Sequence, residues 1–202
     1  IEIPSSVTEI EYGTFRECRS LTSIEIPSSV TEIGDDAFYA CESLTSVDIP
    51  SSVTEIGNGA FRECRSLTSI EIPSSVTWIG YGVFQDCSSL TYMTVEEGNS
   101  NYDSRGNCNA IIETSSNTLI SGCKSTTIPS SVTKIGADAF WGCSSLTSIE
   151  IPSSVTEIEM DAFWGCSSLT SVDIPSSITE IRDGVFSGCK SLTSIEIPSS
   201  VT

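Results

Sequence analysis

Histidine is absent from the 202 residues, which removes the usual general base near neutral pH and the commonest metal ligand. Basic residues are scarce as well: 9 Lys and Arg stand against 27 Asp and Glu, for a formal net charge of -18. Nucleic acid and anionic lipid both require a positive surface, so neither suits this chain. A basic protein patch, a cation, or plain solubility are the uses left for such a charge. No window holds the roughly 18 apolar residues that a membrane-spanning helix needs, so no membrane insertion is expected in this segment. No basic start followed by an apolar run resembles a signal peptide, no Asn-x-Ser/Thr sequon occurs, and no glycine-rich phosphate loop is present. With no base to activate a nucleophile, neither an enzyme nor a cofactor is expected. The chain opens on Ile1 rather than methionine and reads as a fragment of something longer.

What is present is a period. The eight prolines fall at 4, 27, 50, 73, 129, 152, 175 and 198, every step being 23 except a central one of 56, which is 23 plus 33. All seven phenylalanines keep this register, from Phe15, Phe38, Phe61 and Phe84 to Phe140, Phe163 and Phe186. So do Cys18, Cys41, Cys64, Cys87, Cys143, Cys166 and Cys189. Self-similarity at a fixed short period is the signature of stacked repeats.

Within one unit, Leu21-Thr22-Ser23-Ile24-Glu25-Ile26 has L-x-x-L-x-L spacing, which predicts a strand with Ile24 and Ile26 on one face and Ser23 and Glu25 on the other. Pro27 lacks a ladder donor and ends that strand, and Pro-Ser-Ser forms a corner. Val30 and Ile33 turn inward on a second, shorter extended segment. Ala37, Phe38 and Cys41 fall at intervals of three to four, predicting a short helical or 3₁₀ turn from Gly34 to Ser43. Each coil sends about eight apolar side chains inward, a core that only stacked neighbours can shield.

The pattern I-P-x-S-V-T-x-I-G-x-x-A-F-x-x-C-x-S-L-T-S-I resembles the BspA-like leucine-rich repeat family over nearly the whole chain. That resemblance implies a leucine-rich repeat solenoid, a right-handed β/α superhelix with one parallel strand per coil plus short extended and helical or 3₁₀ turns, mostly β by content. It further implies a noncatalytic protein-binding or adhesion module, located extracellularly or at the cell surface, whose ligand is a host matrix or cell-surface protein. A purely structural spacer or assembly element is the alternative. Residues 1–202 are expected to form a single domain of about eight coils. Glu11, Glu159 and Arg182 depart from the family pattern where glycine is usual, so that position does not strictly demand a positive φ.

The register breaks in an irregular unit at about 96–128. Residues 109–114 and 118–120 read as two strands around a Ser115-Ser116-Asn117 turn, a hairpin of the kind found in the family's longer units. Counting back from Pro129 puts Cys123 in the leucine slot, whereas Cys108 has no aligned position. Asn99-Ser100-Asn101-Tyr102-Asp103 resembles the start of a calcium loop, but Ser104 and Ala110 occupy the positions where such a loop needs Gly and Glu, which favours a plain turn.

Several columns are candidates for chemistry. Cysteines 23 apart should point the same way on neighbouring coils, a geometry wrong for bridging, so a reduced structural ladder is expected. Glu25, Asp48 and Glu71 stack with Glu2, and Glu150 and Asp173 stack with Glu196. Neighbouring carboxylates about 4.8 Å apart repel by about 0.9 kcal/mol in water. Such a column is either a screened, solubilising face or a negative strip for a basic partner or a weakly held cation. A second acidic column, Glu9, Glu32, Glu55, Glu157 and Glu180, is broken by Trp78 and Lys134. Trp141 and Trp164 occupy equivalent places just after the phenylalanine on neighbouring coils and should stack or sit side by side, either as contact anchors or as shields for their neighbours at a coil corner. The exceptions Trp78, Tyr81, Tyr92 and Tyr102 cluster in sequence and suggest a contact patch, aromatics being common binding anchors. The pairs Arg16/Arg19 and Arg62/Arg65 flank Glu17 and Glu63 and read as local, solvated ion pairs.

Overall fold

The computed structural model describes residues 2–202. The protein is a leucine-rich-repeat β-solenoid of about seven turns, in which helix is confined to one short 3₁₀ segment, Arg105–Asn107, among the described residues. The chain separates into two compact units, residues 1–103 and 104–202, the division falling inside the irregular segment.

The first unit holds β1 (Glu9–Ile10), β2 (Glu32–Ile33), β3 (Glu55–Ile56), β4 (Ser69–Ile72), β5 (Trp78–Ile79), β6 (Tyr92–Val95) and β7 (Tyr102–Asp103). Two parallel ladders run through it. One follows the V-T-x-I segment in the order β1-β2-β3-β5, with Glu9, Glu32, Glu55 and Trp78 in register. The other follows the leucine-rich segment, pairing β4 with β6 and continuing as single bridges Glu2 to Glu25 and Glu25 to Asp48. Each β4 residue meets its partner 23 positions on, as the repeat requires, and β4 ends at Ile72, just before Pro73. The short extended segment that was secondary in the sequence is therefore the more continuous of the two ladders.

Repetition of the corner has a hydrogen-bonding cause. In every unit the residue three after proline donates its N–H to the proline carbonyl, from Val7 to Pro4 through Val201 to Pro198, at 3.0–3.2 Å. The second serine of the corner reaches the neighbouring coil, as Ser29, Ser52 and Ser75 do when they donate to the carbonyls of Val7, Val30 and Val53, all at 2.6 Å. The following threonine uses both its N–H and its hydroxyl on one carbonyl of the previous coil: Thr31 to Thr8 at 2.8 and 3.2 Å.

The segment around each phenylalanine is a run of turns, not the helix that its apolar spacing predicts. Residues two before and two after each phenylalanine have positive φ: Gly13 and Glu17, Asp36 and Ala40, Gly59 and Glu63, Gly82 and Asp86. This alternation sends every second N–H sideways. Asp36, Phe38 and Ala40 donate to Asn58, Ala60 and Arg62 of the next coil, while Ala37, Tyr39 and Cys41 donate back three residues within their own coil. A helix would spend all of these donors internally, whereas here half of them join adjacent coils. The inward set survives the change: Ala37, Phe38 and Cys41 are fully buried, and Phe15, Phe38, Phe61 and Phe84 stack with centroids 5.2, 5.2 and 5.8 Å apart.

The usual glycine three residues before each Ala-Phe pair has ordinary φ, as the substitutions at Glu11, Glu159 and Arg182 suggest. Its role is close approach. A Cβ on Gly57 would lie 2.4 Å from the Asp35 nitrogen and 2.5 Å from the Gly34 carbonyl carbon, and one on Gly80 would lie 2.5 Å from the Asn58 nitrogen.

The second unit contains β8 (Ala110–Glu113), β9 (Thr118–Gly122), β10 (Lys134–Ile135), β11 (Ser148–Glu150), β12 (Glu157–Ile158) and β13 (Ser171–Asp173). Strands β8 and β9 form the expected antiparallel hairpin, with a register irregularity at Ile111/Ile112. Strand β9 then pairs in parallel with β10, and β10 with β12, so the hairpin feeds the V-T-x-I ladder. Gly122 donates to the Ala139 carbonyl as a phenylalanine would, and Phe140 lies over it, 2.3 Å from where a Cβ would stand. Within this unit Phe140, Phe163 and Phe186 form a stack of their own, at 5.0 and 5.6 Å. Cys123 and Cys108 are both buried in this unit, Cys123 filling the core as its leucine-slot alignment implies.

None of the nine cysteines is in a disulfide. Those at 41, 64 and 87 donate their Sγ–H to the carbonyls of Phe15, Phe38 and Phe61 at 3.1–3.2 Å, and Cys166 does the same to Phe140. Burial pushes the Cys41 thiol up to about 11, and the same cause raises Cys64 and Cys166 further. A protonated thiol that is already a hydrogen-bond donor is a packing group, not a nucleophile.

Candidate functional site on the strand face of the first unit

The leucine-rich ladder of the first unit carries a recess of about 350 Å³, whose walls include Asp48, Glu71, Pro73, Tyr92 and Glu96. It exists because the strand alternation that buries Val47, Ile70 and Met93 turns Ser46, Ser69 and Tyr92 to the opposite side. Tyr92 replaces the serine of other coils and stands directly opposite Ser69, with 55% of its surface exposed. Glu96 takes the place that proline holds after other strands. Its carboxylate accepts the Ser74 N–H at 2.8 Å, which holds its pKa below the usual carboxylate range. The recess thus combines one open aromatic ring with three acids, one of them kept ionised by a backbone donor.

Of the predicted site residues, Asp48, Glu71 and Tyr92 come together here. Glu25 lines a separate recess of about 340 Å³ with Glu2, Ile3 and Pro27. Glu150 and Asp173 pair in register on β11 and β13 of the second unit. Trp78 and Tyr81 are exposed, at 42% and 79%, but Trp78 belongs to the β1-β2-β3-β5 ladder, not to the ladder that carries Tyr92. Tyr102 is 5% exposed, and its hydroxyl accepts the Ile79 N–H at 3.1 Å. The four aromatics therefore do not form one patch, and Tyr102 is a structural residue. Its polar sequence surroundings are misleading because Asn99 folds them inward: the Asn99 side-chain oxygen accepts the N–H groups of Asn101 and Tyr102, both at 2.9 Å, and its amide donates to the carbonyls of Pro73 and Val76. The segment that resembles a calcium loop is an Asx turn clasping the coil behind it.

Glu96 was not singled out by the sequence, where Glu96-Glu97-Gly98-Asn99 reads as a polar turn. The available signal was its register, in the column otherwise filled by proline.

The arginines form the expected local pairs and also reach beyond them. Arg65 binds Glu63 at 2.9 Å and Arg19 lies 3.7 Å from Glu17, while Arg16 pairs with Asp36 and Arg19 also reaches Glu42 at 3.4 Å, both one coil away. The Arg16 guanidinium lies 4.2 Å from the Tyr39 ring centroid, and the Tyr39 hydroxyl donates to Glu63 at 2.9 Å. This edge of the first unit is a charged network spanning coils.

The second acidic column behaves as a repelling ladder. Partial burial first, then the carboxylates of Glu9, Glu55 and Asp35, raise the pKa of Glu32. A carboxyl whose folded pKa exceeds its unfolded value stabilises fully below the unfolded pKa, and this contribution is lost as pH rises through the folded pKa. Glu32→Gln is therefore expected to raise the melting temperature at pH 7, with the gain shrinking in high salt and vanishing below the ordinary glutamate range. In the second unit the same column is neutralised, Lys134 binding Glu159 at 2.6 Å and Glu157 at 3.4 Å.

Six copies of the BspA type leucine rich repeat region match this sequence, over residues 1–113 and 111–202. The chain belongs to the BspA-type leucine-rich repeat family. A leucine-rich cell surface protein from Faecalibacterium prausnitzii A2-165 is 36% identical to this BspA-type chain with a TM-score of 0.81, covering 96% of the chain and 52% of that protein. The chain thus spans about half the length of that relative. A leucine-rich repeat protein from Bacteroides ovatus is 28% identical with a TM-score of 0.59, over 100% of this chain and 61% of the other. The pneumococcal vaccine antigen PcpA, 23% identical with a TM-score of 0.70 over 100% of this chain and 51% of its own, shares the fold. Among curated proteins no match is found.

Proposed function

We propose that this BspA-type chain is a noncatalytic protein-binding module of a cell-surface or secreted protein, and that the strand-face recess around Tyr92 receives a basic segment of a protein ligand. The observation that carries this reading is the convergence of Asp48, Glu71 and Glu96 on an exposed tyrosine within one cavity. A lysine or arginine side chain fits that combination, since the ring face and the carboxylates both attract a cation. The overall charge of -18 adds long-range attraction for such a partner. The description of the F. prausnitzii relative as a cell surface protein supports the location.

Pull-down on immobilised host matrix proteins, comparing wild type with Tyr92→Ser, Glu71→Gln and Trp78→Glu, tests the proposal. Loss of a central anchor is expected to weaken capture by about tenfold or more for Tyr92→Ser, and less for Glu71→Gln. Trp78→Glu, on the other ladder, should bind like wild type. Equal capture of all four proteins would sink the recess as the site. The near-identity of the repeats favours a second reading, a structural spacer, which predicts no capture of any variant.

A further inference from the structure

The recess around Tyr92 offers a cation both a ring and carboxylates, and the chain's own ion pairs show which cation takes which surroundings. Where a ring and an acid stand together on the neighbouring coil, arginine fills the place. The Arg16 guanidinium lies over the Tyr39 ring, 4.2 Å from its centroid, and the same side chain pairs with Asp36. The second cation over a ring among the described residues is also an arginine, Arg62, 5.9 Å from the same centroid. Where acids stand without a ring, lysine suffices: Lys134 binds Glu159 at 2.6 Å and Glu157 at 3.4 Å, and it lies over no ring among the described residues.

The recess repeats the first combination with the cation missing. Strand alternation puts Ser46, Ser69 and Tyr92 in one row across three coils, and Asp48 and Glu71 in the next row, two residues along. The small serines leave the flank of the tyrosine open towards the acids, which is why a cavity exists there. Asp48, Glu71 and Glu96 are exposed, and none of them has an ion-pair partner among the described residues. The ring is equally unoccupied: Trp141 and Trp164 stack on each other with centroids 4.2 Å apart, but no second ring or cation lies over Tyr92 among the described residues. The strand face of the second unit has the acids without the ring, Glu150 and Asp173 standing beside Ser148 and Ser171.

We propose that the recess selects arginine over lysine, taking the guanidinium of an arginine in the ligand against the Tyr92 ring with Asp48 and Glu71 at its edges. This rests on the reading of the recess as the site for a basic segment, and it names the side chain that is read. A guanidinium is planar and carries five donors in its own plane, so it can stack on a ring and still reach two carboxylates on coils about 4.8 Å apart. An ammonium is a compact, strongly hydrated charge that gains its attraction from the acids and little from stacking.

The test uses the whole 202-residue chain and peptides that differ only in carrying arginine, lysine or citrulline at the same positions, citrulline keeping the arginine shape without its charge. Isothermal titration at low salt compares them. The arginine peptide is expected to bind about fivefold or more tightly than the lysine peptide, and the citrulline peptide not measurably. Tyr92→Ser restores the serine that Ser46 and Ser69 place in the same row, so the fold should survive it, as circular dichroism will report. That variant should bind the arginine and lysine peptides equally and weakly, whereas Tyr92→Phe should keep the preference. Equal binding of the two charged peptides by wild type, with both weakened in Tyr92→Ser, overturns the arginine preference and leaves the recess as a basic-segment site. Failure of wild type to bind either charged peptide overturns both readings. A preference that survives Tyr92→Ser, or citrulline binding as tightly as arginine, also overturns the proposal.

Discussion

Phe61→Ala is expected to destabilise the first unit by about 3–5 kcal/mol, a large effect for a single truncation. Phe61 is fully buried and stacks between Phe38 at 5.2 Å and Phe84 at 5.8 Å, with planes within 3° of parallel. Removing the ring deletes its own burial and also opens one face of each neighbour, and relaxation is limited because both lie in coils pinned by ladder hydrogen bonds. Phe61 N–H donates to Val83 at 3.0 Å, and its carbonyl accepts the Cys87 thiol at 3.1 Å. The backbone therefore cannot collapse into the space without breaking pairing to the next coil. Urea denaturation followed by circular dichroism measures the loss. Phe61→Leu keeps much of the volume and should cost distinctly less, and equal midpoints for the alanine variant and wild type would refute the stack as a source of stability.

Gly57→Ala is expected to cost about 3 kcal/mol or more, although it adds only one methyl group at a buried position with ordinary φ. The cost comes from what the methyl would meet: Asp35 N at 2.4 Å and Gly34 C at 2.5 Å are backbone atoms that cannot rotate away. Separating the two coils to admit it would stretch the neighbouring ladder bonds, including Gly57 N–H to Ile33 O at 2.7 Å. The equivalent Gly136→Ala in the second unit meets nothing closer than 3.2 Å, so it should be tolerated with a small loss. That coil already stacks against Glu159, which occupies the glycine column and accepts the Ala137 N–H at 2.9 Å. Comparable melting temperatures for the two variants would show that coil spacing, not helix or turn propensity, has been misjudged as the constraint.

Both predictions depend on features with different visibility in the sequence. The phenylalanine column is legible from period alone, since two runs of phenylalanine, 15 to 84 and 140 to 186, are each spaced by 23 and must stack if the coils do. The glycine is visible as a recurring letter, and the three departures from it correctly argue against a φ requirement, but its reason lies in a distance between coils. The phenylalanine segment shows the limit most plainly. Ala37, Phe38 and Cys41 have helical spacing and are buried as a helix would bury them, yet Asp36 and Ala40 adopt positive φ and turn alternate donors outward. Apolar spacing reports which side chains face the core and is silent on where the N–H groups go.

The candidate site was legible in the same partial way. Tyr92 is conspicuous as a substitution for serine, and Glu71 and Asp48 as members of a column. Tyr102 is equally conspicuous, but Asn99 folds its segment inward and the ring is buried. Glu96 is inconspicuous and yet lines the recess.

By itself, then, the sequence determined the period, the inward columns, the proline corners, the central hairpin and the family, because each follows from residue spacing and the alternation of side chains along a strand. The tertiary structure alone decided the second ladder's continuity, the turn-for-helix exchange, the close approach at Gly57 and the separation of Tyr92 from Trp78. These depend on contacts between coils 22–26 residues apart in sequence. There the geometry is set by which backbone groups pair, and no residue type names its partner.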